Sequence, residues 1–417
     1  MKHLLIGMGT RGDVQPLVAL AEGMQKAGLD VTIGAGLDFE SWIRGRGIPF
    51  APMNINMQAM MNSPEGIEWI NNSKTPMQEG RNMKIMLDKY SQAISEDLLR
   101  ICEDADILIS NLPTFGFVAA IAEKTKKPHW LVLLSPLTPS NHPASTMKPM
   151  TPFTSPMNRL SGYIGLYFTQ WVAKQSTHIF RQKLGLAPWG YKEYLREWQT
   201  IPVLYGVSEQ VMPRDPRWHD KTFVTGYWID PAPLNYTPPA PLADFLNATE
   251  KTIYIGFGSM STKDPSTTAT LILDAVQKVG VRAIIYSGWA GLKADELPSN
   301  IFLLDGAPHE WLFPKMSAVI HHGGAGTTAA GLRAGVPSGV VSHMADQPYW
   351  GRRVAELKVG VPFVYRHKLT ADKLARMIDR LVNTPELAQH AHHFGERLRA
   401  EDGVSNAVRV IQKLHHA

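Results

Sequence analysis

The feature that most limits the folds open to this chain is an alternation of short apolar runs with helix-period segments, and it occurs twice. HLLIGM is followed by PLVALAEGMQKAG, then VTIGAG, and later by ADILISN, FVAAIAEKT and HWLVLL. Strands alternating with amphipathic helices predict a parallel sheet covered by helices on both faces. Near Asp230 the texture changes. DPAPLNYTPPAPL, Asp230 to Leu242, is crowded with proline, which sustains neither a helix nor a strand ladder, so residues 231–242 read as an extended linker. The alternation then restarts in TIYIGFGS, ATLILDAVQKVG, RAIIYSG, IFLLDG, AVIHHGG, TTAAGLRAG and SGVVSH. The expected architecture is α/β, with two doubly wound domains over 1–230 and 243–395 and ligands at the carboxyl ends of the strands.

At 417 residues the chain exceeds what one hydrophobic core ordinarily supports. A net charge of +5 with no long Lys/Arg run gives no case for a nucleic-acid partner. Cys102 is the sole cysteine, which excludes an internal disulfide and a thiolate metal cluster and fits a reducing cytoplasm. The opening apolar run is too short for a signal peptide, and no stretch has the length and apolarity of a membrane span. Two inserts break the rhythm of the first half. One, from about Met53 to Met86, holds Met53, Met57 and Met83 among its seven methionines; the other, from about Leu137 to Trp198, is rich in proline, methionine and aromatics and contains His142. Methionine moulds around apolar ligands of imprecise shape, and it also fills irregular cores, so both readings stand. Such inserts also permit peripheral contact with a membrane.

Two glycine loops bear on chemistry. Gly7-Met8-Gly9-Thr10-Arg11-Gly12 fits the G-x-G-x-x-G dinucleotide fingerprint. That fold wants an acidic residue at the end of the second strand, yet VTIGAG ends in Gly34-Ala35-Gly36 and Asp38 comes late. The second loop, in SAVIHHGGAGTTAAGLRAG, ends a strand and opens a small-residue helix, where backbone amides and the helix dipole seat a phosphate. Thr327 and Thr328 are expected to cap that helix and offer hydroxyls to the same oxygens. No P-loop lysine is present. His321 and His322, adjacent on a strand, point to opposite faces, so one faces the phosphate and the other is buried.

GTRGDVQPLVALAEGMQKAG, YIGFGSM and DGAPHEWLFPKMSAVIHHGGAGTTAAGLRAGVPSGVVSHMADQPYWGRRVAELKVG together resemble family 1 glycosyltransferases of the GT-B fold. The likeness is strongest to sterol glucosyltransferases and to bacterial antibiotic and lipid glycosyltransferases, and it runs over nearly the whole chain. It implies two Rossmann-like domains facing a cleft, an N-terminal acceptor domain and a C-terminal donor domain, with a terminal helix over 396–417 crossing back to the first. It further implies that His321, Gly323, Gly324, Ala325, Gly326 and Thr327 hold the donor diphosphate, with Arg11, Gly12 and Ser259 adding contacts. Trp289 would wall the donor site, the backbone near Ala307 would meet the base, and Asp346 with Gln347 would bind sugar hydroxyls. Plant members carry a tryptophan before their Ala-Pro-Gln; Gly306 stands there in this chain, and uridine and thymidine donors both remain open.

In such a family Asp13 corresponds to the general base, whose proton abstraction from an acceptor hydroxyl accompanies inverting attack on the anomeric carbon. A helix-start carboxylate would ordinarily stay ionised through the dipole, and the alternative role for Asp13 is a simple cap. Leaving-group charge falls to the second-domain loop, so no metal and no cofactor beyond the nucleotide sugar are expected. The acceptor class is a sterol, polyphenol, polyketide or lipid, with Met53, Met57, Met83 and His142 as candidate contacts. A nucleotide-sugar epimerase, a non-catalytic sugar-nucleotide sensor and a dehydrogenase are the competing readings.

Overall fold

The protein is described by a computed structural model over residues 1–72, 75–144, 154–230, 236–247, 249–257, 265–286 and 297–415. The chain divides into two compact units, Met1–Asp230 with Glu401–Ala417, and Pro231–Ala400.

The first unit is built on seven strands: β1 (Lys2–Gly7), β2 (Asp30–Gly36), β3 (Phe50–Met53), β4 (Ile107–Ser110), β5 (His129–Leu133), β6 (Val203–Tyr205) and β7 (Thr222–Val224). Their order is β3-β2-β1-β4-β5-β6-β7, and every pairing is parallel. Five helices position its site: α1 (Arg11–Lys26), α2 (Pro76–Cys102), α3 (Phe115–Thr125), α4 (Pro156–Lys183) and α5 (Tyr191–Thr200). The central strands read as near-continuous apolar runs because both sheet faces are covered. Leu5 packs with α1 on one face, Leu4 and Ile6 with α2 and α3 on the other, and all three are buried. Full burial of such a side chain stabilises by about 1.5–3 kcal/mol. Cys102 is buried at the end of α2, and burial pushes its thiol up to about 12, the state of an inert apolar filler.

The second unit repeats the plan with β8 (Thr252–Gly256), β9 (Arg282–Tyr286), β10 (Ile301–Leu304), β11 (Ala318–His321), β12 (Ser338–Ser342) and β13 (Val364–Tyr365), in the parallel order β10-β9-β8-β11-β12-β13. Helices α6 (Ala325–Ala334) and α7 (Gln347–Glu356) follow β11 and β12. The end of the proline-rich stretch is not extended as expected. Ala240–Leu246 is helical behind Pro239, and Leu242 is fully buried in the second unit's core. Proline at a helix start costs nothing because its missing N–H would have been unpaired there anyway.

The terminal helix also differs from 396–417. Residues up to Arg399 complete the preceding helix, Pro385–Arg399, and α8 (Gly403–Leu414) begins after Asp402, whose side chain accepts from the Ser405 amide at 3.0 Å. An N-capping carboxylate divides what apolar spacing alone reads as one helix. Ala407, Val408 and Ile411 of α8 join Val14, Leu17 and Val18 of α1 in one core. Beyond α8, His415 Nε2 lies 2.7 Å from His3 Nε2, whose ring is fixed by the Asp30 carbonyl at 2.7 Å.

Candidate active site

The loop Met8–Thr10 leaves β1 where the first sheet's strand order reverses, between β1 and β4. Doubly wound sheets bind ligands at that switch point. Asn111, just past β4, pins the loop: its Nδ2 donates to the Met8 carbonyl at 2.7 Å and its Oδ1 accepts from the Met8 amide at 3.4 Å. Gly9 has φ 146°, a region essentially closed to other residues, and a Cβ there would stand 2.2 Å from Asp13 Oδ2.

Asp13 Oδ2 accepts the Thr10 amide at 2.8 Å and the Thr10 hydroxyl at 3.2 Å, the carboxylate half of a capping box. Oδ1 takes part in neither bond. Burial raises the Asp13 pKa even though both Thr10 bonds act to lower it. Burial therefore outweighs the stabilisation that a helix start and the two Thr10 bonds give the carboxylate. Asp13 Oδ2 thus caps α1, and Oδ1 is left outside the capping bonds.

A small apolar recess beside the same loop is lined by Met8, Gly9, Gly36, Met53, Ile55 and Met57. Met53 and Met57 are therefore both core residues and recess walls. Met83, half-buried on α2, and His142, whose amide donates to Ser140 Oγ at 3.0 Å, are not among its lining residues. Arg11 lies with its guanidinium 4.9 Å over the Trp42 ring and its Nε 3.3 Å from Gln15 Oε1, while Gly12 is exposed beside it.

The loss of Asn111 would leave the Met8 amide and carbonyl unpaired, at a cost of about 1–3 kcal/mol. Asn111→Ala is expected to lower Tm by several degrees, at about 2–4 °C per kcal/mol. Its turnover should fall by less than loss of the base itself produces. Unchanged thermal melts would remove Asn111 from the loop's support.

In the second unit the corresponding loop follows β11, again at the point of strand-order reversal, between β8 and β11. Gly323 has φ 91°, and Gly324 caps α6 by its backbone conformation alone. The first turn, Ala325-Gly326-Thr327, presents amides that no helical carbonyl satisfies, the arrangement that binds anions. The threonines are not the cap that was expected. Thr328 is buried and donates its hydroxyl to the Gly324 carbonyl at 2.9 Å, one turn back, which leaves Thr327 as the half-buried hydroxyl of the turn.

His321 is completely buried. Its Nδ1 accepts the Gly323 amide at 3.0 Å, so its proton sits on Nε2, and burial, with His322 and His309 nearby, holds its pKa well below the ordinary value. Its Nε2 has no hydrogen-bond partner among the described residues. His322 is half-buried, its pKa lowered by burial to about 4, and the two rings stand 81° apart at 6.4 Å. Both imidazoles are neutral at physiological pH, and His321 acts on the loop first by ordering Gly323.

Gln347 is buried with Oε1 committed to the His343 and Met344 amides at 2.7 and 3.1 Å, so the group it can offer a sugar is its amide nitrogen. Asp346 Oδ2 accepts from the Trp350 indole at 2.6 Å. Ala345, exposed between them and the strand, is held at φ 54°, a strained turn that sets the direction of Asp346. Ala307 is half-buried against the core between β10 and the helix His309–Leu312, and a side chain at Gly306 would enter open space. Ser259 and Trp289 lie outside the described residues.

Among the described residues no group of three or more His, Cys, Asp or Glu side chains is arranged to hold a metal ion. The tail histidines His392 and His393 instead lie 3.3 and 3.4 Å from Glu396 on their own helix.

Two parallel doubly wound sheets, each carrying a glycine loop at its switch point, define a GT-B glycosyltransferase fold. The calicheamicin glycosyltransferase CalG4 superposes with a TM-score of 0.71 at 16% identity over 99% of this chain and 98% of its own. VinC in complex with DTDP gives 0.64 at 18% identity, covering all of both chains. The glycosyltransferase family 28 N-terminal domain matches residues 3–97, and the erythromycin biosynthesis protein CIII-like C-terminal domain matches residues 270–414. The sterol 3-beta-glucosyltransferase UGT80B1 of Arabidopsis thaliana is 32% identical over 425 residues, 98% of this chain and 67% of its own length. The Emericella nidulans sterol 3-beta-glucosyltransferase is 30% identical over 434 residues, 99% of this chain but 30% of its own length. The chain belongs to the glycosyltransferase family that contains the sterol 3-beta-glucosyltransferases, and the nicotinamide reading of GMGTRG falls with that membership.

Proposed function

We propose that this enzyme transfers glucose from UDP-glucose to the hydroxyl of a sterol or similarly apolar acceptor, with inversion and without a metal. The observation that carries the reading is Asp13, a carboxylate of raised pKa just after the loop at the first sheet's switch point, the loop whose Met8 and Gly9 also line an apolar recess. An acceptor hydroxyl is a poor nucleophile, and a base whose pKa lies nearer the working pH takes its proton more effectively. The acceptor would bring its hydroxyl to Asp13 Oδ1. As the bond from the anomeric carbon to the diphosphate breaks, the new negative charge meets the α6 amides, preorganised donors that need not rearrange. Both histidines there are neutral, so Nε2–H of His321 adds a dipole and not a full charge.

No described helix is long and apolar enough to cross a membrane. An acceptor of this class would be collected at a membrane surface, and α4 carries exposed Met157, Leu160, Ile164 and Tyr167 along one face. The reducing interior of the cell suits a buried lone thiol. The test is to offer the protein UDP-glucose and dTDP-glucose with cholesterol, a polyphenol and no acceptor, without added metal, and to follow products by mass spectrometry. Glucosylated sterol from UDP-glucose is expected. Transfer from dTDP-glucose alone would move the enzyme to the thymidine donors. A new hexose in the acceptor-free arm would mean epimerisation.

A further inference from the structure

A second recess opens on the first unit away from Asp13, between the start of α3, the later turns of α4 and the segment leading into α5. Lys174, Thr177, His178, Arg181, Trp189 and Tyr194 line it. Residues 174, 177, 178 and 181 recur at helical spacing, so α4 presents them on one face. Arg181 is buried and almost fully used: Nε donates to the Ala187 carbonyl at 2.6 Å, Nη2 to Glu123 at 2.9 Å, and Trp189 stacks 4.4 Å from its Cζ. Among the described residues its remaining nitrogen, Nη1, is buried without a partner, and so is the hydroxyl of Thr177.

Orphaned buried donors at a recess ask for an acceptor with several oxygens. No carboxylate lines the recess, and Glu123 is already spent on Arg181. Across its 28 residues α4 contains no Asp or Glu, while it carries Arg159, Lys174, Arg181 and Lys183. We propose that this recess binds a phosphate group, held by the Arg181 guanidinium, the Lys174 ammonium and the Thr177 hydroxyl. Guanidinium and ammonium donors on one side with a hydroxyl beside them suit the three or four oxygens of a phosphoryl group. The source is a phospholipid headgroup or a soluble phosphate. The exposed apolar stripe at the beginning of the same helix favours the headgroup, since a bilayer would meet both.

The full chain would be titrated with inorganic phosphate and floated with phosphatidylcholine vesicles with or without phosphatidic acid. Lys174→Glu reverses a charge at the recess, and Lys183→Glu makes the same change on α4 outside it. We expect Lys174→Glu to weaken phosphate binding at least tenfold and to abolish the gain from phosphatidic acid, with Lys183→Glu close to wild type. Because the α6 loop is another phosphate seat, the difference between the two variants is the reading that counts. Phosphate binding that depends on Lys174, without a matching vesicle effect, assigns the site to a soluble phosphate. Equal phosphate affinity in wild type and Lys174→Glu, equal losses in the two variants, or no phosphate binding at all would overturn the proposal.

Discussion

Asp13→Asn is expected to lower turnover by about 10²- to 10⁴-fold, the contribution of a positioned base, with affinity for the nucleoside diphosphate unchanged. Asparagine keeps an oxygen that can accept from Thr10, so α1 retains its capped first turn while proton abstraction is lost. Stability separates this outcome from simple capping. Burial raises the Asp13 pKa in the folded chain above its unfolded value. Such a carboxyl contributes stability that is fully present below the unfolded pKa and lost as pH rises through the folded pKa. At pH 7 the ionised group therefore works against folding, and the neutral amide relieves it. Thermal melts at pH 7 should place Asp13→Asn at or above wild type, with the advantage disappearing in acid. A variant that keeps its turnover, or one that melts several degrees lower at pH 7, would make Asp13 a cap and no more.

Both sheets and both glycine loops were legible in the sequence because each rests on local patterns, apolar runs broken by helical periodicity and a strand ending in glycines. The reading of Asp13 as base was legible only through resemblance. Its raised pKa comes from burial, and the loop before it is held by Asn111, which reaches Met8 from the end of β4. Nothing in ISNLPT marks that asparagine as different from any turn residue. The same limit governs Thr328 and Gln347. A hydroxyl or amide in a motif reads as a ligand group, whereas in the fold it is partly consumed by the backbone it supports. The boundary errors have a common origin too, since proline before Ala240 and aspartate before Gly403 act as helix starts rather than as interruptions. Side-chain commitments of this kind are set by tertiary neighbours, and a single sequence carries no local trace of them.

Gly323→Ala should weaken UDP affinity by about 10- to 100-fold, the equivalent of roughly 1–3 kcal/mol of backbone strain. At φ 91° an L side chain is disfavoured, and the new Cβ would lie 2.7 Å from Val340 Cγ1 and 3.0 Å from the Gln347 carbonyl oxygen. The second contact is with backbone and cannot be relieved by a rotamer change. Relief requires Gly323 to move away from the start of α7, which breaks the 3.0 Å bond from its amide to His321 Nδ1 and turns the following amides off their common point. His321 would then lose the acceptor role that fixes its tautomer, so the imidazole and the loop fail together. Calorimetry of UDP with Gly323→Ala and with His321→Ala tests the coupling. If the loop and imidazole act as one unit, the double variant loses little more than the worse single variant. Additive losses would separate them, and wild-type affinity in Gly323→Ala would place the diphosphate elsewhere.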